Sequence, residues 1–315
     1  MGLEPRLHPL VLLGRLAGKG DLAKSMAVRR EESARLSRSL GWTVMRPGPE
    51  PAETIDRQVP AEGGSIRVRL YRPAGVGPFP LYVFLHGGGW CVGTIDERDP
   101  RCRAISAGAR CVVASVEYRM APENQFPTPP EDCYAALLWL AAHVDELGLD
   151  GSRIAIGGES AGANLAAVVC LMARDRGGPR LCHQWLDVPA TDATLSQSGH
   201  RDVRDGYLLD RDVIQDYTDH YLADPALVTE PYVSPLLAAD HSGLPPAWIM
   251  SAEFDKLRGD ADAYAKALTE AGVSVQSTRL AGHIHPSFAF TRLLRSSLEY
   301  ENRAIAALVA AFAGT

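Results

Sequence analysis

Short apolar runs, each followed by a stretch that suits a helix, restrict how this chain can fold more than any other feature. Residues 81–85 (Leu-Tyr-Val-Phe-Leu), 111–116, 154–156 and 248–250 are almost continuously apolar. The stretches 97–108, 129–147, 161–175 and 260–271 read as helices, and Ala135, Leu138, Leu140 and Val144 give the second of these an apolar side. Strands without polar alternation are buried on both faces. Alternating with helices, they predict an α/β fold with a mostly parallel central sheet and helices on both faces. In such sheets ligands sit beyond the carboxyl ends of the strands.

The flanks follow a different pattern. Residues 1 to about 48 are helical in character, with Leu22, Met26, Leu36 and Leu40 near one face, until Pro47, Pro49 and Pro51 interrupt. Ile66-Arg67-Val68-Arg69-Leu70-Tyr71 alternates as a half-buried strand does, and Gly63-Gly64 suits a hairpin with residues 54–59. Residues 191–243 interrupt the alternation but keep aromatics and leucines that need burial, including Ile214, Tyr217 and Tyr221 on one amphipathic helix. They read as an inserted cap. A last helix near 295–312 places Ile305, Leu308, Val309 and Phe312 on one side. The expected organisation is a single catalytic domain: N-terminal cap helices over 1–50, core over 51–190 and 244–315, inserted cap over 191–243.

A chain of 315 residues supports a large core, and a net charge of −6 offers no footprint for nucleic acid or anionic membrane. No apolar stretch reaches membrane-spanning length, and no signal-peptide pattern precedes residue 15. The six cysteines, at 91, 102, 111, 133, 170 and 182, form no Cys-x-x-Cys pair. They read as buried free thiols in a cytoplasmic protein, with disulfides as the alternative.

Two motifs end apolar strands. His86-Gly87-Gly88-Gly89-Trp90 follows the first strand; successive glycines let backbone N–H groups face a cleft without obstruction. Gly158-Glu159-Ser160-Ala161-Gly162 lies between residues 154–156 and a helix-forming run, the strand–turn–helix setting of a nucleophile elbow. The N–H groups of Gly88, Gly89 and Ala161 are the candidate oxyanion donors. Trp90 is a candidate for lining the pocket. A serine needs a base, and His285 is the candidate, with His283 as a rival. Asp255 is the candidate orienter, with Glu253 and Asp260 as rivals. The order Ser, Asp, His is that of α/β-hydrolases. A metal site at His283-Ile284-His285 is discounted, because no acidic or histidine partner stands at helical spacing. The glycines do not make a dinucleotide fingerprint, since Val92 stands where the third glycine would be.

With Tyr118-Arg119-Met120-Ala121-Pro122-Glu123 and Phe126-Pro127 added, residues 55–290 resemble the bacterial hormone-sensitive-lipase-like (family IV) esterases, which are arylacetamide-deacetylase-like members of the α/β-hydrolase superfamily. The resemblance implies the α/β-hydrolase fold with a helical cap. It also implies Ser160 as nucleophile, His285 as base, Asp255 as orienter, and Gly88, Gly89 and Ala161 around the oxyanion. His86, with Gly87, would support the glycine loop. The chain departs from the family at Lys256, where proline is usual, at Pro286-Ser287, where Gly-Phe follows the histidine, and at Glu159, where aspartate is commonest.

The expected activity is hydrolysis of carboxylic esters through an acyl-enzyme, with a small-molecule ester as substrate and no cofactor. Short to medium acyl chains and a homodimer, with the edge strand near 273–280 as its contact, are implied by the resemblance. The alternatives are a deacetylase or amidase acting on an acetylated or arylamide compound with the same three residues and, more distantly, a hydrolase-fold receptor that binds without turnover.

Overall fold

The computed structural model describes residues 2–17 and 20–314, and the side chains of 16, 17, 20, 21, 40 and 42 are left undescribed. Two helices come first, α1 (His8–Ala17) and α2 (Met26–Val44), then the hairpin β1 (Glu53–Ala61) and β2 (Gly64–Arg72). The core continues as β3 (Phe79–Leu85), α3 (Asp99–Ala109), β4 (Val112–Glu117), α4 (Thr128–Ala142), β5 (Leu149–Glu159), α5 (Ala161–Asp175) and β6 (His183–Asp187). A short turn α6 (Gly199–Asp202) and α7 (Arg211–Tyr221) lie in the insertion. The chain closes with β7 (Ala247–Phe254), α8 (Arg258–Glu270), β8 (Val275–Ile284) and α9 (Arg295–Ala313).

The eight strands form one sheet in the order β1-β2-β4-β3-β5-β6-β7-β8. The first hairpin is antiparallel, as is the pair β2–β4; every other pair is parallel. All seven residues of β3 are buried. Leu81, Val83 and Leu85 join one core cluster while Tyr82 and Phe84 join another, as the two-residue period of a doubly covered strand requires. The first cluster takes side chains from α4, α5 and α8, the second from α3 and α9.

The apolar faces of three helices differ from the expected ones. In α4 the fully buried apolar residues are Cys133, Ala136, Leu137 and Leu140, while Leu138 is 41% exposed. That set follows the i, i+3, i+4, i+7 spacing of a single helical stripe, which the expected set did not. In α2 Met26 is buried but Leu36 is exposed, and the Leu40 side chain lies outside the described residues. In α9 Leu308 and Phe312 are buried while Val309 is exposed. Helix α4 also ends at Ala142, short of 147. Among the described residues no helix is long and apolar enough to cross a membrane.

The N-terminal segment and the insertion pack together. Leu7 and Val11 share a cluster with Val203, Tyr207, Ile284 and Leu294. Arg29 of α2 pairs with Asp216 of α7 at 2.6 Å. Its neighbour Arg30 donates to Glu123 and to the carbonyls of Cys91 and Ala121. The buried Lys256 reaches the insertion, with Nζ 2.8 Å from Asp205 Oδ1.

Leu137→Ala should cost about 2–5 kcal/mol of stability, as truncation of a fully buried leucine does, while Leu138→Ala should stay within about 1 kcal/mol. Urea denaturation of the two variants separates these faces; equal losses would contradict the packing.

Candidate active site

Sheet register brings the motifs together. Leu85 of β3 is the partner of Gly158 of β5, and Phe254 of β7 is the partner of Ile284 of β8. His86, Glu159, Asp255 and His285 each come next in the chain, so two adjacent pairs of loops, on either side of β6, emerge at the carboxyl edge of the sheet.

Ser160 sits at φ +56°, ψ −120°, a strained conformation for a residue with a side chain. Its N–H donates to Asp187 O at 2.8 Å. The turn is tight enough that a Cβ on Gly162 would lie 2.1 Å from Leu85 O and 2.5 Å from His86 O. Helix α5 therefore starts hard against the end of β3. In the facing loop Gly88 is at φ +129°, and a Cβ there would meet Val92 O at 2.0 Å. His86 is buried, its Nδ1 2.9 Å from Gly87 O and its ring stacked on Tyr118 at 4.4 Å. The Tyr118 hydroxyl donates to His86 O at 2.8 Å. Burial pushes the His86 pKa down to about 4, so the ring is neutral at ordinary pH.

His285 Nε2 lies 3.0 Å from Ser160 Oγ, and His285 Nδ1 lies 2.7 Å from Asp255 Oδ2. Asp255 is buried, and its other oxygen accepts the Leu257 N–H at 3.0 Å. The three rivals are engaged elsewhere. His283 is held between Ser287 Oγ at 2.9 Å and Ser296 Oγ at 2.8 Å, and burial lowers its pKa. Glu253 accepts the N–H of Gly282 at 2.7 Å, inside the register shift that separates Ala252 from Phe254. Asp260 accepts the N–H groups of Thr191 and Asp192, both at 3.0 Å, and ties the insertion to α8.

A cavity of about 320 Å³ opens over Ser160. The N-terminal segment supplies Val44 and Met45, the insertion Leu209, Ile214 and Tyr217, and the core Gly88, Gly89, Ala161 and Phe288. Trp90 also reaches this wall. It is stacked on Tyr221 at 4.5 Å and donates its indole N–H to Asn164 Oδ1 at 3.3 Å. Asn164 in turn donates to Ala190 O and Val233 O, fastening the insertion from below.

Sequence reasoning missed two parts of this region. Strand β6 carries His183 and Gln184 and so lacks an apolar run, yet all five of its residues are buried. Beneath the elbow, Arg101 bridges Glu159 and Asp187, and Arg98 also bonds Glu159. Asp187 further accepts from Trp185 and Tyr300. Burial raises the Glu159 carboxyl, but the charges of Arg98 and Arg101 outweigh this and bring it to about 2. Nothing near the motif in sequence marked these arginines, which stand some sixty residues away.

Nearby Glu301 is pushed up to about 7, from an ordinary 4.5, by burial that the charge of Arg101 only partly offsets. A carboxyl that is harder to ionise when folded makes the folded state bind more protons than the unfolded state. Stability then falls as pH rises from the unfolded through the folded pKa. Glu301→Gln should therefore raise the melting temperature above about pH 8, by roughly 1–3 kcal/mol in stability. The gain should shrink as pH falls through 7 toward 4.5. A pH series of thermal melts checks this, and an equal shift at every pH would contradict it.

Residues 82–289 match the alpha/beta hydrolase fold family. LipN, a carboxylic ester hydrolase of Mycobacterium tuberculosis, is 39% identical over 97% of this chain and 82% of its own length. The carboxylesterase NlhH of the same species is 42% identical over 77% of each. Among solved structures, the hyperthermophilic esterase from Pyrobaculum calidifontis superposes with a TM-score of 0.93 at 34% identity, covering 98% of this chain and 99% of that one. EstE1, a thermostable carboxylesterase cloned from a metagenomic library, gives 0.88 at 37% identity, covering 92% and 98%. With the sheet order, the register of the motif loops and these likenesses together, the chain belongs to the alpha/beta hydrolase fold family, in its hormone-sensitive-lipase-like branch.

Proposed function

We propose that the protein is a serine carboxylesterase acting on small uncharged esters of short to medium acyl chain. The observation that carries this is the unbroken line from Ser160 Oγ to His285 Nε2 at 3.0 Å and from His285 Nδ1 to Asp255 Oδ2 at 2.7 Å, placed beneath a largely apolar cavity. His285 takes the Ser160 proton as Oγ attacks the ester carbonyl carbon. The oxygen that becomes negative is received by the N–H groups of Gly88, Gly89 and Ala161. Donors held in place before reaction stabilise that charge more than mobile water does. The intermediate collapses, the alcohol leaves with the proton from His285, and the acyl group stays on Ser160. Water then attacks with His285 as base, and the carboxylic acid departs. Asp255 holds the imidazole in the tautomer that leaves Nε2 free to accept. The reading needs no metal or organic cofactor.

The substrate class rests on the cavity. Its volume of about 320 Å³ lies at the low end of ligand pockets, which run from roughly 300 to 1,000 Å³. Its charged lining, Arg98 and Glu159, is mutually paired and offers no free partner to an anionic acyl chain. The N-terminal helices and residues 191–243 act as a two-part cap in this reading. Six buried unpaired cysteines favour a reducing compartment, hence the cytoplasm. A homodimer would pair through β8, the last strand of the sheet, which has β7 as its single neighbour in the sheet order.

Ser160→Ala should abolish turnover of p-nitrophenyl butyrate without lowering the melting temperature, and an organophosphate should label the wild-type serine alone. Asp255→Asn should lower kcat by about 10³- to 10⁴-fold. Retained hydrolysis by the serine variant would refute the assignment.

A further inference from the structure

We propose that Glu159 is a positioning residue that locks the Ser160 turn to the Gly87-Gly88-Gly89 loop, so that donors from both segments face one oxygen. This role rests on the esterase reading above. Glu159 immediately precedes Ser160 and is 4% exposed. One carboxylate oxygen accepts from Arg98 Nε, and the other lies 3.0 Å from Arg101 Nη1. The Gly87 backbone contributes to holding this carboxyl low. Gly87 is packed so closely that a Cβ there would stand 2.8 Å from Glu159 O and 3.2 Å from Glu159 Cγ. The other arm of Arg101 reaches Asp187, whose carbonyl accepts the Ser160 N–H at 2.8 Å. Glu159 thus packs against the glycine loop and is tied to the serine turn both through the chain and through Arg101.

Geometry and charge assign positioning rather than chemistry. With two guanidiniums on it, the Glu159 carboxylate has no reason to take a proton from substrate or water. Left alone, its negative charge would oppose the oxyanion forming beside Ser160. Arg98 and Arg101 both pair with Glu159, and Arg101 also pairs with Asp187, so the Glu159 charge is anchored and offset on two sides. The strained φ of +56° at Ser160 also needs surroundings that over-determine it. Arg98 lies in the cavity wall, so the anchor extends to the substrate's side of the turn.

The test compares Glu159→Gln, Glu159→Asp and the double variant Arg98→Gln/Glu159→Gln with wild type. Readouts are kcat and KM on p-nitrophenyl butyrate, and inhibition by a trifluoromethyl ketone, which forms a hemiketal oxyanion on the serine. Misplaced donors should lower kcat of Glu159→Gln by about 10- to 100-fold, weaken the ketone in parallel, and leave KM within about threefold. Glu159→Asp keeps the charge and should recover most of both. The double variant removes a buried ion pair as a unit, so it tests the same loss if the single variant fails to fold. Wild-type kcat and ketone affinity in a folded Gln variant would overturn the role, as would a loss seen in KM or melting temperature alone. Wild-type protein that hydrolyses no ester would refute the esterase reading itself, a result distinct from any difference among the variants.

Discussion

The rest of the site depends on how closely helix α5 is pressed against the end of β3. Gly162 leaves no room for a side chain between itself and the carbonyls of Leu85 and His86. That contact puts the first turn of α5 beside the glycine loop, so the free N–H of a helix start and the N–H groups of an irregular loop share one small volume. Helix α5 can hold this place because residues 161–173 are all buried. Burial on this scale secures the strained turn at Ser160, which local preferences alone would relax.

Charge is treated consistently around that contact. His86, under the loop, is kept neutral by burial, so it braces the glycines without adding a cation. The carboxylates beneath the turn are held by cations, Glu159 by Arg98 and Arg101, Asp187 by Arg101, with Glu97 also 3.7 Å from Arg98. The cavity above is lined mainly by apolar side chains. In such surroundings fixed backbone dipoles act strongly, because little water competes with them.

Much of this was legible from sequence, for physical reasons that also mark the limits. Residues 81–85 form a strand buried on both faces, so their apolar run is unmistakable. The glycine and serine motifs follow strands whose ends coincide in register. Strand β6 was not legible. Its His183 and Gln184 are buried polar residues, and the Gln184 amide donates to Pro245 O, a bond that no local pattern foreshadows. Helix α4 was expected at the right place but too long, and its buried face was misassigned because the expected residues did not follow one helical stripe, so Leu138 stood in place of Leu137. The choice among Asp255, Glu253 and Asp260 also needed three dimensions: all three are near β7, and only the partners of each carboxylate tell them apart.

The register shift between β7 and β8 shows how a fold can set a distance that a regular sheet would not. From Ala252 to Phe254 the chain advances two residues, while the paired positions on β8, Leu280 and Ile284, are four apart. The extra length is taken up at Gly282, where φ is +77°, and it is pinned by the Glu253 carboxylate on the Gly282 N–H. Without the shift, the residue paired with Phe254 would be Gly282, and the position facing Asp255 would fall to His283. With it, Ile284 takes that pairing and His285 follows, 2.7 Å from Asp255. His283, two residues earlier, is turned into the serine pocket under α9. The bulge thus decides which of two histidines meets the serine, and Glu253 serves the site by shaping the strand.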